Sequence, residues 1–281
     1  MALQESEIAR DIRTRDWQIH YNEVGEGHPV VLLHGGGPGA TGWSNYAPNI
    51  EALAQHFRVI APDMPGWGQS DPVDFNTLDH VDVALQLLDA LNIDKAAFVG
   101  NSMGGHTSIR LAVEHPDRVS HLITMGPPLH MGPVMFGPGG LTEGLQKMYA
   151  AYHDASPEGM KRLVEIMVHD KERFASPELT EQRSAAALRN QRHLDNVIAA
   201  GPKAPIPIWI GADKAKISGI QAPALLMHGR DDRVVSFETT LFLATNIPDA
   251  RAVLFNRCGH WAQLEHADEF NRLVTDFIRH N

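Results

Sequence analysis

Gly100-Asn101-Ser102-Met103-Gly104 fits the pattern G-x-S-x-G. A serine hydroxyl is a poor nucleophile at neutral pH. It needs a neighbouring base, and the base needs an acid to hold its tautomer. Both stand downstream, in the chain order Ser, Asp, His. Among 16 histidines, His260 follows the last apolar strand directly, in Cys258-Gly259-His260-Trp261. The acid is Asp231 or Asp232, in His228-Gly229-Arg230-Asp231-Asp232. The fourth residue of a Gly-x-x-Asp turn points back at such a histidine, which favours Asp232 and leaves Asp231 to brace the turn. Cys258 lies two residues from His260, but a Cys–His pair would leave the serine turn without a purpose. It reads as a small buried residue.

These residues need a scaffold. Lys95–Val99 is a short apolar strand, and Gly105–His115 carries Ile109, Leu111, Ala112 and Val113 at mostly helical spacing before Pro116 ends the run. A serine between a strand and a helix sits on a sharp turn with its Oγ exposed, and the flanking glycines keep Cβ atoms out of that turn. Upstream, Pro29–Leu33 is a continuous apolar strand of the kind buried on both faces of a parallel sheet. It runs into His34-Gly35-Gly36-Gly37-Pro38-Gly39. No Gly-Lys-Ser/Thr follows, so this is not a Walker phosphate loop. Beside a nucleophilic serine it reads as half of an oxyanion hole, with the amide of Gly36 or Gly37 paired with that of Met103. His34 reads as a brace for the loop and a weaker candidate for the base.

Trp17–Glu23 alternates and reads as an edge strand. A helical segment near Asn49–Gln55 precedes a strand over Phe57–Ala61. Asp63 and Asp71 bound a turn-rich loop and read as turn and cap residues. Thr77–Leu91 is an amphipathic helix, and Ser120–Met125 is another apolar strand. The sheet pattern resumes at Ala222–Met227 and Arg251–Phe255, and the amphipathic helix Ala267–Ile278 closes the chain. Alternating strands and helices of this kind predict a mostly parallel, doubly wound α/β sheet. The rhythm breaks after Gly126. Leu141–Ala200 reads as helical throughout, with Ser156-Pro157-Glu158 and Ser176-Pro177-Glu178 as helix starts. Residues 134–205 are therefore expected to form a helical lid inserted into a core of residues 1–133 and 206–281. Met131, Met135, Met148, Met160 and Met167 fall on or near the insertion; most should fill core gaps, and one or two should line an apolar pocket.

A chain of 281 residues, 43% hydrophobic, can bury a sizeable core. A net charge of −10 without a basic cluster argues against nucleic acid and anionic membrane as partners. One cysteine rules out an internal disulfide, and the N-terminus has neither the basic nor the apolar region of a signal peptide. A soluble cytoplasmic protein is expected.

The motifs taken together resemble a family. Leu33-His34-Gly35-Gly36-Gly37-Pro38-Gly39-Ala40 with Trp43-Ser44-Asn45, then Gly100-Asn101-Ser102-Met103-Gly104-Gly105, Gly229-Arg230-Asp231-Asp232-Arg233 and Cys258-Gly259-His260-Trp261-Ala262-Gln263 with Glu265-His266-Ala267-Asp268 are similar to the meta-cleavage product hydrolases. These are carbon–carbon bond hydrolases of the α/β-hydrolase fold that act in bacterial breakdown of aromatic compounds. The resemblance implies cleavage of 2-hydroxy-6-oxo-hexa-2,4-dienoates between C5 and C6, giving 2-hydroxypenta-2,4-dienoate and a carboxylic acid. It also implies Arg183 beside the dienoate carboxylate, with Asn45, Asn101 and Trp261 as further substrate contacts. Taken by itself Arg183 reads more readily as a solvated helix charge, a reading the resemblance reverses, and Arg189 and Arg192 are its rivals. Val234, two residues past Asp232, is expected to face the pocket for the C6 group and to leave room for a bulky one. The family's hydrolysis needs no metal or organic cofactor, and no cluster of ligand-type residues suggests one. A homo-oligomer is the family's habit.

Other classes fit less well. A serine carboxylesterase shares the triad but has no requirement for an acid anchor in the lid. A proline aminopeptidase should carry acidic residues for the substrate amine. A haloalkane dehalogenase or epoxide hydrolase would place Asp at 102, and a non-catalytic member of the fold would be expected to lack part of the triad.

Overall fold

The computed structural model describes residues 3–73, 78–129, 135–136, 141–200 and 214–281. Eight strands form one sheet: β1 (Ala9–Arg13), β2 (Gln18–Val24), β3 (Pro29–Leu33), β4 (Arg58–Pro62), β5 (Ala96–Asn101), β6 (Val119–Met125), β7 (Ala224–Gly229) and β8 (Ala250–Phe255). Their spatial order is β1-β2-β4-β3-β5-β6-β7-β8. β1 and β2 join antiparallel, and from β4 to β8 all neighbours are parallel. The doubly wound α/β expectation holds. One strand was misjudged: Trp17–Glu23 is not an edge, because β1 pairs along its outer side. With Arg10, Asp11 and Arg13 among its five residues, β1 lacks the apolar run that marks a strand, and its charges suit an exposed edge.

The central strands point alternate side chains into two cores. Val31, Leu33, Phe98, Leu122 and Leu226 pack on one face, and Val30, Leu32, Ala97, Val99, Ile123 and Leu225 on the other. β5 is buried along its whole length, as expected of a strand with helices on both sides. The helix before β4 starts earlier than its apolar pattern suggests, at Gly42–Leu53, because Thr41 and Ser44 close a capping box there.

Six helices stand between β6 and β7 among the described residues: Glu143–His153, Pro157–Met167, Lys171–Phe174, Pro177–Arg189, Gln191–Ala200 and the short Lys214–Ile217. Ser156 and Ser176 accept from the amides of Gly159 and Leu179, with Pro157 and Pro177 at the first helical position. The expected ends of the insertion, 133/134 and 205/206, lie outside the described residues, as does Met131. Of the other methionines, Met160 is fully buried and Met135 is exposed.

Candidate active site

β5 delivers Ser102 into a backbone conformation that L-residues rarely adopt, φ 51° and ψ −114°. The strain persists because the surroundings over-determine it. The amide of Ser102 donates to the Met125 carbonyl at 2.8 Å, and that of Gly104 donates to His34 O at 3.1 Å. A Cβ on Gly100 would lie 2.2 Å from Gly104 O, and one on Gly104 would lie 2.1 Å from Leu33 O. Both glycines are required by close backbone approach. Gly100→Ala should therefore cost about 3 kcal/mol, the upper end of the range for overpacking, read as a fall in the urea midpoint.

His260 and Asp232 meet at 2.7 Å, Nδ1 to Oδ2, and both are buried. Asp232 Oδ2 also faces His228 Nε2 at 3.0 Å, and Oδ1 accepts from the amides of Val234 at 2.7 Å and Val235 at 3.0 Å. Burial alone would raise this carboxyl, but the flanking His260 and His228 imidazoles prevail and hold it below the usual carboxylate range. It stays an anion, fit to orient an imidazole. Gly126 closes over the pair: with φ 53°, a Cβ there would stand 3.0 Å from the His260 ring and 3.1 Å from Asp232 Oδ2. Asp231 faces elsewhere, toward His169 Nδ1 at 3.2 Å. Cys258 is fully buried, and burial, with Glu265 and the two aspartates nearby, pushes its thiol up. A thiolate is disfavoured there, as a structural cysteine requires.

One small cavity collects the rest. Ser102, His260, Gly36, Gly37, Asn45, Asn101, Trp261 and Arg183 all line it, as do Met148 and Met167 from the helices between β6 and β7. Gly36 lies against Met103, since a Cβ there would be 3.2 Å from Sδ. The Gly36 carbonyl takes a hydrogen bond from the Tyr152 hydroxyl, which ties the loop to the helices above. Asn101 spends its amide inside the protein. Nδ2 donates to the carbonyls of Met125 and His260 at 3.3 and 3.1 Å, and Oδ1 accepts from Asn45 Nδ2 at 3.2 Å. Val234 does not line this cavity among the described residues; it packs against Gly144, where a Cβ would meet it at 2.6 Å. The apolar side chains that do line it include Met148, Leu163 and Met167.

Arg183 is 2% exposed, whereas Arg189 and Arg192 are exposed. Its guanidinium carbon lies 4.7 Å over the Trp261 ring. Nε is buried without a hydrogen-bond partner, and no carboxylate forms an ion pair with it among the described residues. Burial pulls its pKa down to about 10, offset in part by the nearby Tyr152 hydroxyl, so it remains a cation at neutral pH. The helix reaches this depth because its backbone seats on Gly39 (φ 70°), where a Cβ would be 2.5 Å from Arg183 O.

Beneath the glycine loop, Trp67 donates Nε1–H to Gly37 O at 3.2 Å and is ringed by His34, His80 and His193. His34 Nδ1 donates to Gly35 O and Nε2 accepts from the Met64 amide, so it braces the loop, and neither ring nitrogen bonds to Asp232. Burial pushes His34 down to about 4 and His80 and His193 down to about 3. The unfolded chain binds these protons near pH 6.5. Stability from the neutral rings is therefore complete above pH 6.5 and is lost as pH falls toward 4, by up to about 1.4 kcal/mol per pH unit for each ring. The urea midpoint should drop steeply between pH 7 and 5, and His80→Gln should flatten that slope. A midpoint independent of pH over this range would contradict the assignment.

Residues 28–267 match the alpha/beta hydrolase fold family. The chain is 42% identical over 267 residues to a 2-hydroxy-6-oxo-6-phenylhexa-2,4-dienoate hydrolase of Burkholderia cepacia, covering 94% of this chain and 92% of the relative. It is 41% identical over 274 residues to a 2-hydroxy-6-oxononadienedioate/2-hydroxy-6-oxononatrienedioate hydrolase of Burkholderia vietnamiensis, covering 93% and 91%. A solved meta-cleavage product hydrolase of Pseudomonas fluorescens superposes with a TM-score of 0.87 at 33% identity, covering 98% of each chain.

Proposed function

Since the chain belongs to the meta-cleavage product hydrolases of the α/β-hydrolase fold, we propose that it hydrolyses the C5–C6 bond of a 2-hydroxy-6-oxo-hexa-2,4-dienoate in the degradation of an aromatic compound. One observation carries the reading: Arg183, a buried cation without an anion among the described residues, shares a cavity with Ser102. Burying an unpaired charge is costly. A substrate carboxylate removes that cost on binding, and only an extended acid brings a second reactive carbon to the serine.

Arg183 holds the dienoate carboxylate, and Trp261 and Asn45 pack along the chain. The 2-hydroxyl proton moves to C5, which turns the dienol into a ketone conjugated with the remaining double bond. Ser102 Oγ attacks the C6 carbonyl while His260 takes its proton. The oxyanion is met by the amides of Met103 and Gly36 or Gly37. The C5–C6 bond then breaks and its electron pair flows toward the C2 ketone, giving 2-hydroxypenta-2,4-dienoate once a proton is returned. Water completes the balance by releasing C6 as a carboxylic acid. The helices over the cavity serve as a lid that keeps the dienoate in place. We place this activity in the cytoplasm, in a homo-oligomer with a soluble small-molecule partner; the charge of −10 and the single cysteine support that setting.

The test compares two substrates. Removing one partner of a buried charge pair costs roughly 2–5 kcal/mol, so Arg183→Ala should lose about 30-fold or more in dienoate turnover, followed by loss of absorbance. Hydrolysis of p-nitrophenyl acetate, which has no carboxylate to anchor, should barely change. No bleaching of any C6-alkyl or C6-aryl dienoate, beside fast ester turnover, would leave a carboxylesterase. Equal losses on both substrates would make Arg183 a support for the helices.

A further inference from the structure

The helix Pro157–Met167 ends against the loop that carries the catalytic histidine. The amide of His260 donates to the Met167 carbonyl at 2.6 Å. Gly259 has no Cβ for the same reason: one would stand 2.4 Å from that carbonyl. The Glu265 carboxylate then spans the two segments. Oε1 accepts from the Gly259 amide at 2.6 Å, and Oε2 accepts from the amides of His169 and Asp170 at 2.8 and 3.0 Å. Charge-assisted bonds of this length are about twice as strong as neutral ones. The same corner reaches the acid loop, where His169 Nδ1 lies 3.2 Å from Asp231 Oδ2 and the Asp231 amide donates to Cys258 O at 2.9 Å.

We propose that Glu265 is a positioning residue, whose carboxylate locks the end of the insertion helix to Gly259 and so fixes where His260 stands relative to Ser102. The roles of Ser102 and His260 in this proposal rest on the function given above. The physical argument is one of reach. His260 is oriented on its far side by Asp232, but that bond lets the ring slide with its loop. The loop is held on its sheet side by Asn101 Nδ2 on His260 O and by the Asp231 amide on Cys258 O, and on its helix side by Met167 O on His260 N and Glu265 on Gly259 N. Without Glu265 the Gly259 amide loses its partner, and the remaining helix-side anchor sits on a segment that is itself freed at His169 and Asp170. A displacement of about 1 Å at a catalytic group can cost on the order of 10²-fold in rate.

Glu265→Ala and Glu265→Gln test it. Glutamine keeps the shape but offers one acceptor oxygen where two are in use. Each variant should lose on the order of 10- to 100-fold in kcat, on a dienoate and on p-nitrophenyl acetate alike. Dienoate affinity, measured with Ser102→Ala as background so that nothing turns over, should stay within about twofold. Turnover within about threefold of the parent enzyme would overturn the proposal. So would a dienoate Kd that weakens as much as turnover falls, since Glu265 would then shape the pocket and not the base. Should no dienoate bind at all, the function given above falls instead, and the ester still decides this proposal: kcat must drop at unchanged KM.

Discussion

Ser102→Ala is expected to cut dienoate turnover by on the order of 10³-fold or more while the ligand still binds. The substitution removes one oxygen and leaves the backbone turn in place, because the turn is held by the Met125 and His34 carbonyls and by its glycines, not by the hydroxyl. In the proposed reaction binding rests on Arg183 and on the apolar lining of the cavity, which the change does not touch. Single-turnover absorbance separates the two: a rapid spectral shift on binding should persist, and the slow loss of colour should vanish. Cys258→Ala is the control. A crippled Cys258→Ala beside an active Ser102→Ala would move the nucleophile to the cysteine.

The acid is the second large effect. Asp232→Asn should lose about 10⁴-fold in kcat, since an amide that donates to Nδ1 leaves His260 in the tautomer that cannot take the serine proton. The fold should survive, because the asparagine oxygen can still accept from the amides of Val234 and Val235. Asp231→Asn should stay within severalfold; its carboxylate is partly exposed and turned to His169. Circular dichroism of both variants checks folding. The opposite ranking would transfer the role to Asp231.

The serine, the two aspartates and the histidine were legible because each stands where an apolar strand ends and glycine begins, a local pattern. Between Asp231 and Asp232 the turn geometry already pointed the right way. Arg183 was harder. Three arginines crowd residues 183–192, and which one is buried depends on how the helix docks. A signal was present nonetheless: Thr180, Ser184 and Ala187 are small, lie at helical spacing with Arg183 and are all buried. A long cation among small neighbours on the packed face of a helix has somewhere deep to go. β1 was missed because charges outnumber apolar residues in it, and Val234 was assigned to the pocket on nearness in sequence alone. The histidine ring around Trp67 and the bonds of Glu265 to His169 and Asp170 draw on separate segments of the chain. Glu265 stands in a recognisable motif, but which amides it meets appears only once the chain is folded.

The seat of Arg183 on Gly39 bears on how these enzymes diversify and how they can be recombined. A helical insertion brought in from a relative has to land on this sheet in register. Its docking key is a bare glycine with φ 70° meeting a helix carbonyl, where no side chain of the sheet can adjust to a misfit. A chimera should therefore work only if residue 39 remains glycine and the incoming helix presents its arginine on the turn that rests there. A slip of a single residue along the helix swings that guanidinium by about 100° about the axis, out of the cavity it shares with Ser102. Length changes in the connections at either end of the insertion leave this key intact. Changes of even one residue between positions 177 and 183 do not.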